Sequence, residues 1–154
     1  MTFEPGDTLP EITLPDASGT PTRLAAAPGH KLVVYFYPKD STPGCTLEGQ
    51  DFTRLHAEFG AAATEVIGIS KDSAASHQRF AEKYGFPFTL LADTDQAACK
   101  AFDVIHEKTN YGRKYMGVVR STFLFDTHGV LQREWRGVKV TGHAAAVLEA
   151  ARKL

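Results

Sequence analysis

Apolar positions along the chain follow two periods. Short runs rich in β-branched and aromatic residues, at 32–37, 65–70, 88–92, 121–125 and 130–135, read as strands. The last two flank Asp126-Thr127-His128-Gly129 and read as a hairpin, as do 13–14 and 22–24 around Asp16-Ala17-Ser18-Gly19. Between them the spacing turns helical. Leu47, Phe52, Leu55 and Phe59 form one apolar face of a helix beginning at or just before Cys45 and ending near Gly60. His77, Phe80, Ala81 and Tyr84 form another, with Asp72 or Ser73 as cap and Gly85 as stop. Asp93 to Asp95 is an acidic helix start, and Ala98, Phe102 and Ile105 predict a short helix after it. Residues 107–117 read as a basic, glycine-bearing loop, solvated around Tyr111 to Met116. The alanine-rich stretch 142–154 reads as a last helix, with Arg152 and Lys153 suiting its C-terminal dipole.

Strands alternating with helices predict an α/β layer fold, a sheet with helices on its faces, and no internal repeat is visible. A length of 154 residues fits one domain, 1–154, with an adequate core. With 43% hydrophobic and 23% charged residues the chain is an ordinary globular one, and a net charge of −1 offers nothing to nucleic acid or to an acidic membrane. No apolar stretch approaches the roughly 20 residues of a membrane span. Met1 to Asp7 has neither a basic region nor an apolar core, so no secretory signal is expected there. Two cysteines without such a signal point to a reducing compartment, the cytoplasm by default.

Chemistry concentrates where the first core strand gives way to a helix. Pro38 stops the strand, Pro43-Gly44 marks a turn, and Cys45 falls in the first helical turn. Unpaired N–H groups and the positive end of the helix dipole stabilise a thiolate there. The alternative is a small buried packing residue; the polar loop leading into Cys45 argues against it.

Pro38-x-x-x-Thr42-x-x-Cys45 resembles the active-site signature of the peroxiredoxins, thiol-dependent peroxidases. The run from Phe36 to Thr46 is similar to their bacterioferritin-comigratory, or peroxiredoxin Q, branch. Gly6-Asp7, Tyr111-Gly112-Arg113 and the segment from Arg120 to Asp126 extend the likeness over nearly the whole chain. The resemblance implies a thioredoxin-like fold: a central mixed β-sheet flanked by helices, preceded by an N-terminal β-hairpin. It also implies that Cys45 is the nucleophile and that Arg120, a surface arginine on composition alone, completes the active site.

The chemistry assigns roles to the neighbours. Lowering the pKa of a cysteine from about 8.5 to about 6 raises its thiolate fraction at pH 7 roughly 30-fold. The same change lowers its nucleophilicity about tenfold. Most of the acceleration must therefore come from polarising the departing oxygen. The Thr42 hydroxyl can accept from or donate to the peroxide, or else satisfy local backbone. Pro38 can wall off water, or merely end the strand. N–H groups of Gly44 and Cys45 can face substrate. Arg120 offers a forked cation to sulfur and peroxide alike. Glu48 either orients Arg120 or caps the helix.

Cys99 departs from the family pattern. Gln50 and Ala81 stand where peroxiredoxin Q proteins carry a resolving cysteine. Cys99 lies elsewhere and reads as packing before it reads as a resolving residue. The expectation is therefore a one-cysteine mechanism. Cys45 reduces hydrogen peroxide or small organic hydroperoxides, and thioredoxin, glutaredoxin or a small thiol regenerates it, in a monomer or weak homodimer. A peroxide sensor that relays oxidation to a partner, and a non-catalytic binding module, are the rivals. No metal, haem or flavin is implied: the six histidines show no ligand-pair spacing, and there is no CxxC.

Overall fold

The computed structural model describes residues 3–154; Met1 and Thr2, the start of the segment read for a leader, lie outside the described residues. The strands are β1 (Thr13–Pro15), β2 (Pro21–Arg23), β3 (Lys31–Phe36), β4 (Thr64–Ser70), β5 (Thr89–Ala92), β6 (Ile105–Asn110), β7 (Arg113–Val118), β8 (Ser121–Phe125) and β9 (Leu131–Arg136). The helices are α1 (Pro43–Arg54), α2 (His56–Ala61), α3 (Ala74–Tyr84), α4 (Ala97–Ala101) and α5 (His143–Arg152).

Five strands form the central sheet in the order β5-β4-β3-β8-β9. β3 runs parallel to β4 and antiparallel to β8, so the sheet is mixed. Every residue of β3 is buried because both faces are covered. Leu32, Val34 and Phe36 enter one core, with Cys99 and Phe102 of the α4 region and the hairpin residues Leu14 and Leu24. Val33, Tyr35 and Tyr37 enter the other, with Cys45, Phe52, Phe80 and the α5 residues Val147 and Leu148. The two-residue period of the strand thus sorts the side chains into two layers.

Where the helical pattern predicts one helix to Gly60, the chain breaks at Leu55 (φ −97°, ψ 5°) and resumes as α2. The Thr53 hydroxyl donates to the Gly49 carbonyl at 2.7 Å, a back-bond that bends helices. Leu55 and Phe59 stay buried across the break, but Leu47 faces solvent. Gly49 is required in α1: a Cβ there would lie 2.4 Å from Cζ of Phe86, whose ring packs against Phe80 and Phe88.

Ser73, not Asp72, caps α3, its Oγ accepting from the Ser76 N–H at 3.2 Å, and Gly85 ends the helix in the left-handed region (φ 65°). The helix expected to reach Ile105 stops at Ala101, because Asp103 turns left-handed (φ 55°) and Ile105 opens β6. Residues 107–117 are not a loop. β6 and β7 pair from Ile105 opposite Val118 to Asn110 opposite Arg113. Tyr111 (φ 51°) and Gly112 (φ 76°) form the two-residue turn that suits a twisted hairpin. The strands are mostly solvent-exposed, so no alternation of apolar residues marks them. At the end of α5 the buried Lys31 supplies a cation, donating to the Ala151 carbonyl at 2.6 Å, whereas Arg152 turns to Glu149 and Glu58. Among the described residues no helix is long and apolar enough to cross a membrane.

Candidate active site

β3 delivers the chain to Tyr37, and the turn from Pro38 to Thr42 redirects it into α1. Pro43 opens the helix, where its missing N–H costs nothing. Thr42 is the N-cap by position, but its side chain makes no capping bond; its hydroxyl donates to the Lys39 carbonyl at 2.8 Å. The first-turn N–H groups of Gly44 and Cys45 therefore receive no side-chain acceptor from the cap, which leaves them for a ligand.

Cys45 is 2% exposed. Arg120, in the connection between β7 and β8, donates through Nη2 to Cys45 Sγ at 3.4 Å and through Nη1 to Glu48 Oε1 at 2.6 Å. One guanidinium thus bridges two residues of the same helix turn. Gly44 makes room for it: a Cβ there would stand 3.1 Å from Nη2. Burial works against the charge on Arg120, but Glu48 and then the Cys45 sulfur outweigh it and hold the guanidinium protonated. Glu48 is 1% exposed, and its second oxygen, Oε2, has no hydrogen-bond partner among the described residues. Burial pushes its carboxyl up to about 7, only partly offset by Arg120.

Of the candidate residues, Thr42, Gly44 and Cys45 form the start of α1, Arg120 reaches it from the β7–β8 connection, and Pro38 stands in the loop that leads into it. Cys99 stands apart. It sits in α4, wholly buried in the core on the other side of the sheet. Its N–H and that of Ala98 donate to Asp93 at 2.8 and 3.0 Å, so the predicted acidic start anchors α4 from within the core. Burial pushes the Cys99 thiol up, and the Asp93 carboxylate pushes it further.

Three features escaped the motif reading. Asp40, inside the turn, is bound to Tyr37, Ser76 and His77. Its occurrence between Pro38 and Thr42 was visible, but its partners come from α3. Lys108 of the β6–β7 hairpin is partly buried, and its charged form is disfavoured by burial and then by Arg120. His143 at the head of α5 is bonded to Thr122 at 2.8 Å, its basicity lowered to about 4 by burial and then by the charge of Arg120. No group of residues suited to a metal ion occurs among the described residues.

A model of the AhpC/TSA family matches residues 5–134. Peroxiredoxin Bcp of Xanthomonas campestris is 53% identical over 91% of this chain and 88% of that protein. Peroxiredoxin Bcp of Bacillus subtilis is 45% identical over 97% and 95%. A solved structure of peroxiredoxin Q from Xanthomonas campestris superposes with a TM-score of 0.87 at 52% identity, covering 92% of this chain and 90% of that one. The Xanthomonas campestris bacterioferritin comigratory protein, solved in trapped intermediate and ligand complexes that bear on its alkyl peroxide reduction, gives 0.88 at 49%, covering 96% and 98%. The mixed sheet with its N-terminal hairpin is accordingly the thioredoxin-like fold, and the chain belongs to the AhpC/TSA family, within it to the Bcp or Q branch of the peroxiredoxins.

Proposed function

We propose that this peroxiredoxin reduces hydrogen peroxide and small organic hydroperoxides at Cys45 by a one-cysteine route. The observation that carries the reading is the Arg120 guanidinium 3.4 Å from Cys45 Sγ at the open start of a helix. The Cys45 thiolate attacks the terminal peroxide oxygen, the S–O bond forms as the O–O bond breaks, and the departing alkoxide or hydroxide takes a proton. Sulfur leaves as sulfenic acid, two electrons oxidised, and the product is an alcohol or water. Arg120 and the N–H groups of Gly44 and Cys45 meet the charge that develops on oxygen, where fixed donors act most strongly. Thr42, freed from capping, orients the peroxide hydroxyl on exchanging its bond to Lys39, and Pro38 shields the approach from water.

Regeneration takes two thiols from outside. The first forms a mixed disulfide with Cys45 and releases water; the second displaces Cys45 as thiolate. The sheet between the two cysteine layers supports this route, because a disulfide needs α-carbons within about 7 Å. Thioredoxin, glutaredoxin or a small thiol of the cytoplasm is the reductant, serving a monomer or weak homodimer.

Peroxide consumption with each reductant, together with mass analysis after one equivalent of peroxide with a sulfenate trap, tests the reading. Turnover and a trapped adduct on Cys45 are expected. A Cys45–Cys99 disulfide as the main product would overturn the one-cysteine route, and no peroxide consumption with any reductant would overturn the activity.

A further inference from the structure

Asp40 is held from every side. Its Oδ1 accepts from the Tyr37 hydroxyl at 2.6 Å, and its Oδ2 accepts from the Ser76 hydroxyl at 2.8 Å and from His77 Nδ1 at 2.7 Å. Its own N–H donates to Asp72 Oδ2 at 2.9 Å. His77 is wholly buried, and its Nε2 lies 2.9 Å from the Leu91 carbonyl. A carbonyl only accepts, so Nε2 carries a proton. Nδ1 faces the Asp40 carboxylate, so both ring nitrogens lie against oxygen partners and the buried pair joins the reactive turn to α3 and β5.

The residue after Asp40 explains what such a pair does there. Ser41 has φ 62°, a left-handed conformation that disfavours any side chain. Strain of this kind persists where the surroundings over-determine it. Ser41 leads directly into Thr42, Gly44 and Cys45, so relaxation there would carry the head of α1 away from Arg120. Breaking a buried pair by removing one partner is costly, so the clamp is stiff.

We propose that the Asp40–His77 pair clamps the strained turn at Ser41, which makes His77 of α3 a positioning residue for peroxide attack at Cys45. This rests on the peroxidase reading above. Loss of the clamp shifts the sulfur and the helix-start donors relative to each other, and misplacement on the scale of 1 Å costs about 10²-fold in a reaction that depends on alignment.

The test is a double-mutant cycle on the second-order rate constant for peroxide, measured on folded protein for the parent, His77→Gln, Ser41→Gly and the double variant. Activity of the parent checks the peroxidase reading independently. His77→Gln should slow the peroxide step by about tenfold or more. Glycine adopts the left-handed turn without strain, so in the Ser41→Gly background the same change should cost about threefold or less. A purely structural His77 would lower stability yet give equal losses in both backgrounds. Equal losses, or a parent-like rate in folded His77→Gln, overturn the proposal. If His77→Gln does not fold, Ser76→Ala removes one donor to the same carboxylate and goes through the same cycle. A rate loss confined to the Ser41 background supports the clamp, and no loss, or the same loss in both, overturns it.

Discussion

Cys45 and Cys99 are buried almost equally, at 2% and 0% exposure, yet they sit on opposite faces of the sheet beside opposite charges. Cys45 has a guanidinium at its sulfur and a helix start around it; Cys99 has the Asp93 carboxylate and a full apolar core. Burial disfavours a thiolate at Cys99. What separates the two cysteines is the sign of the nearest charge. A cation beside a sulfur favours its thiolate, whereas the Asp93 carboxylate beside Cys99 adds to burial in keeping that thiol protonated.

The largest test of that contrast is Cys45→Ser, which should abolish peroxide reduction with any reductant and leave the circular dichroism spectrum intact; turnover in the folded variant would remove Cys45 as nucleophile. Arg120→Met removes the cation and should slow the peroxide step by about 10²-fold, the scale of losing one preorganised donor. Stopped-flow rates that match the parent would show that the guanidinium contact is idle.

Glu48→Gln sharpens the comparison from the other side, since a carboxylate also stands near Cys45. The unfolded carboxyl loses its proton near pH 4.5, and the folded one holds it to about 7. The folded state binds more protons across that window, so this group loses stability as pH rises from 4.5 through 7. The stability of Glu48→Gln relative to the parent should therefore improve over the same window by about 1–3 kcal/mol, read from urea midpoints. A difference independent of pH would mean that Glu48 is already ionised at pH 5.

The smallest effect belongs to Cys99→Ser. Its peroxide turnover should stay within about twofold of the parent, and alkylation of the native parent should label Cys45 alone until denaturant exposes the second thiol. A large rate loss in that variant, with a disulfide in the oxidised parent, would give Cys99 a chemical role after all.

The two sides of the contrast were not equally readable in the sequence. Cys45 announces itself, because Pro38, Thr42 and Gly44 are local to it and a strand–turn–helix is a local structure. Arg120 has no local mark at all; only its likeness to a family segment placed it, since 75 residues separate it from the sulfur. The Asp40–His77 pair was invisible for the same reason, with His77 passing as one more residue of an apolar helix face. The β6–β7 hairpin was missed for a different one: its strands are mostly exposed and are buried only where they meet the body at Gly117 and Val118, so no continuous buried side writes a two-residue period into the chain.

Gly49 leaves one more mark on the molecule. The Phe86 ring occupies the place of its absent side chain, and that ring stacks at 5.3 Å on Phe88 and meets Phe80 of α3 at 4.9 Å. The helix bearing Cys45 is thus keyed to the end of α3 and the approach to β5. Unravelling that helix would also break the Phe86 contacts, so its amides and those around Phe86 should exchange with solvent through one shared opening, which hydrogen-exchange protection can check. Any movement that carries the Cys45 sulfur outward with its helix must lift that aromatic key as well.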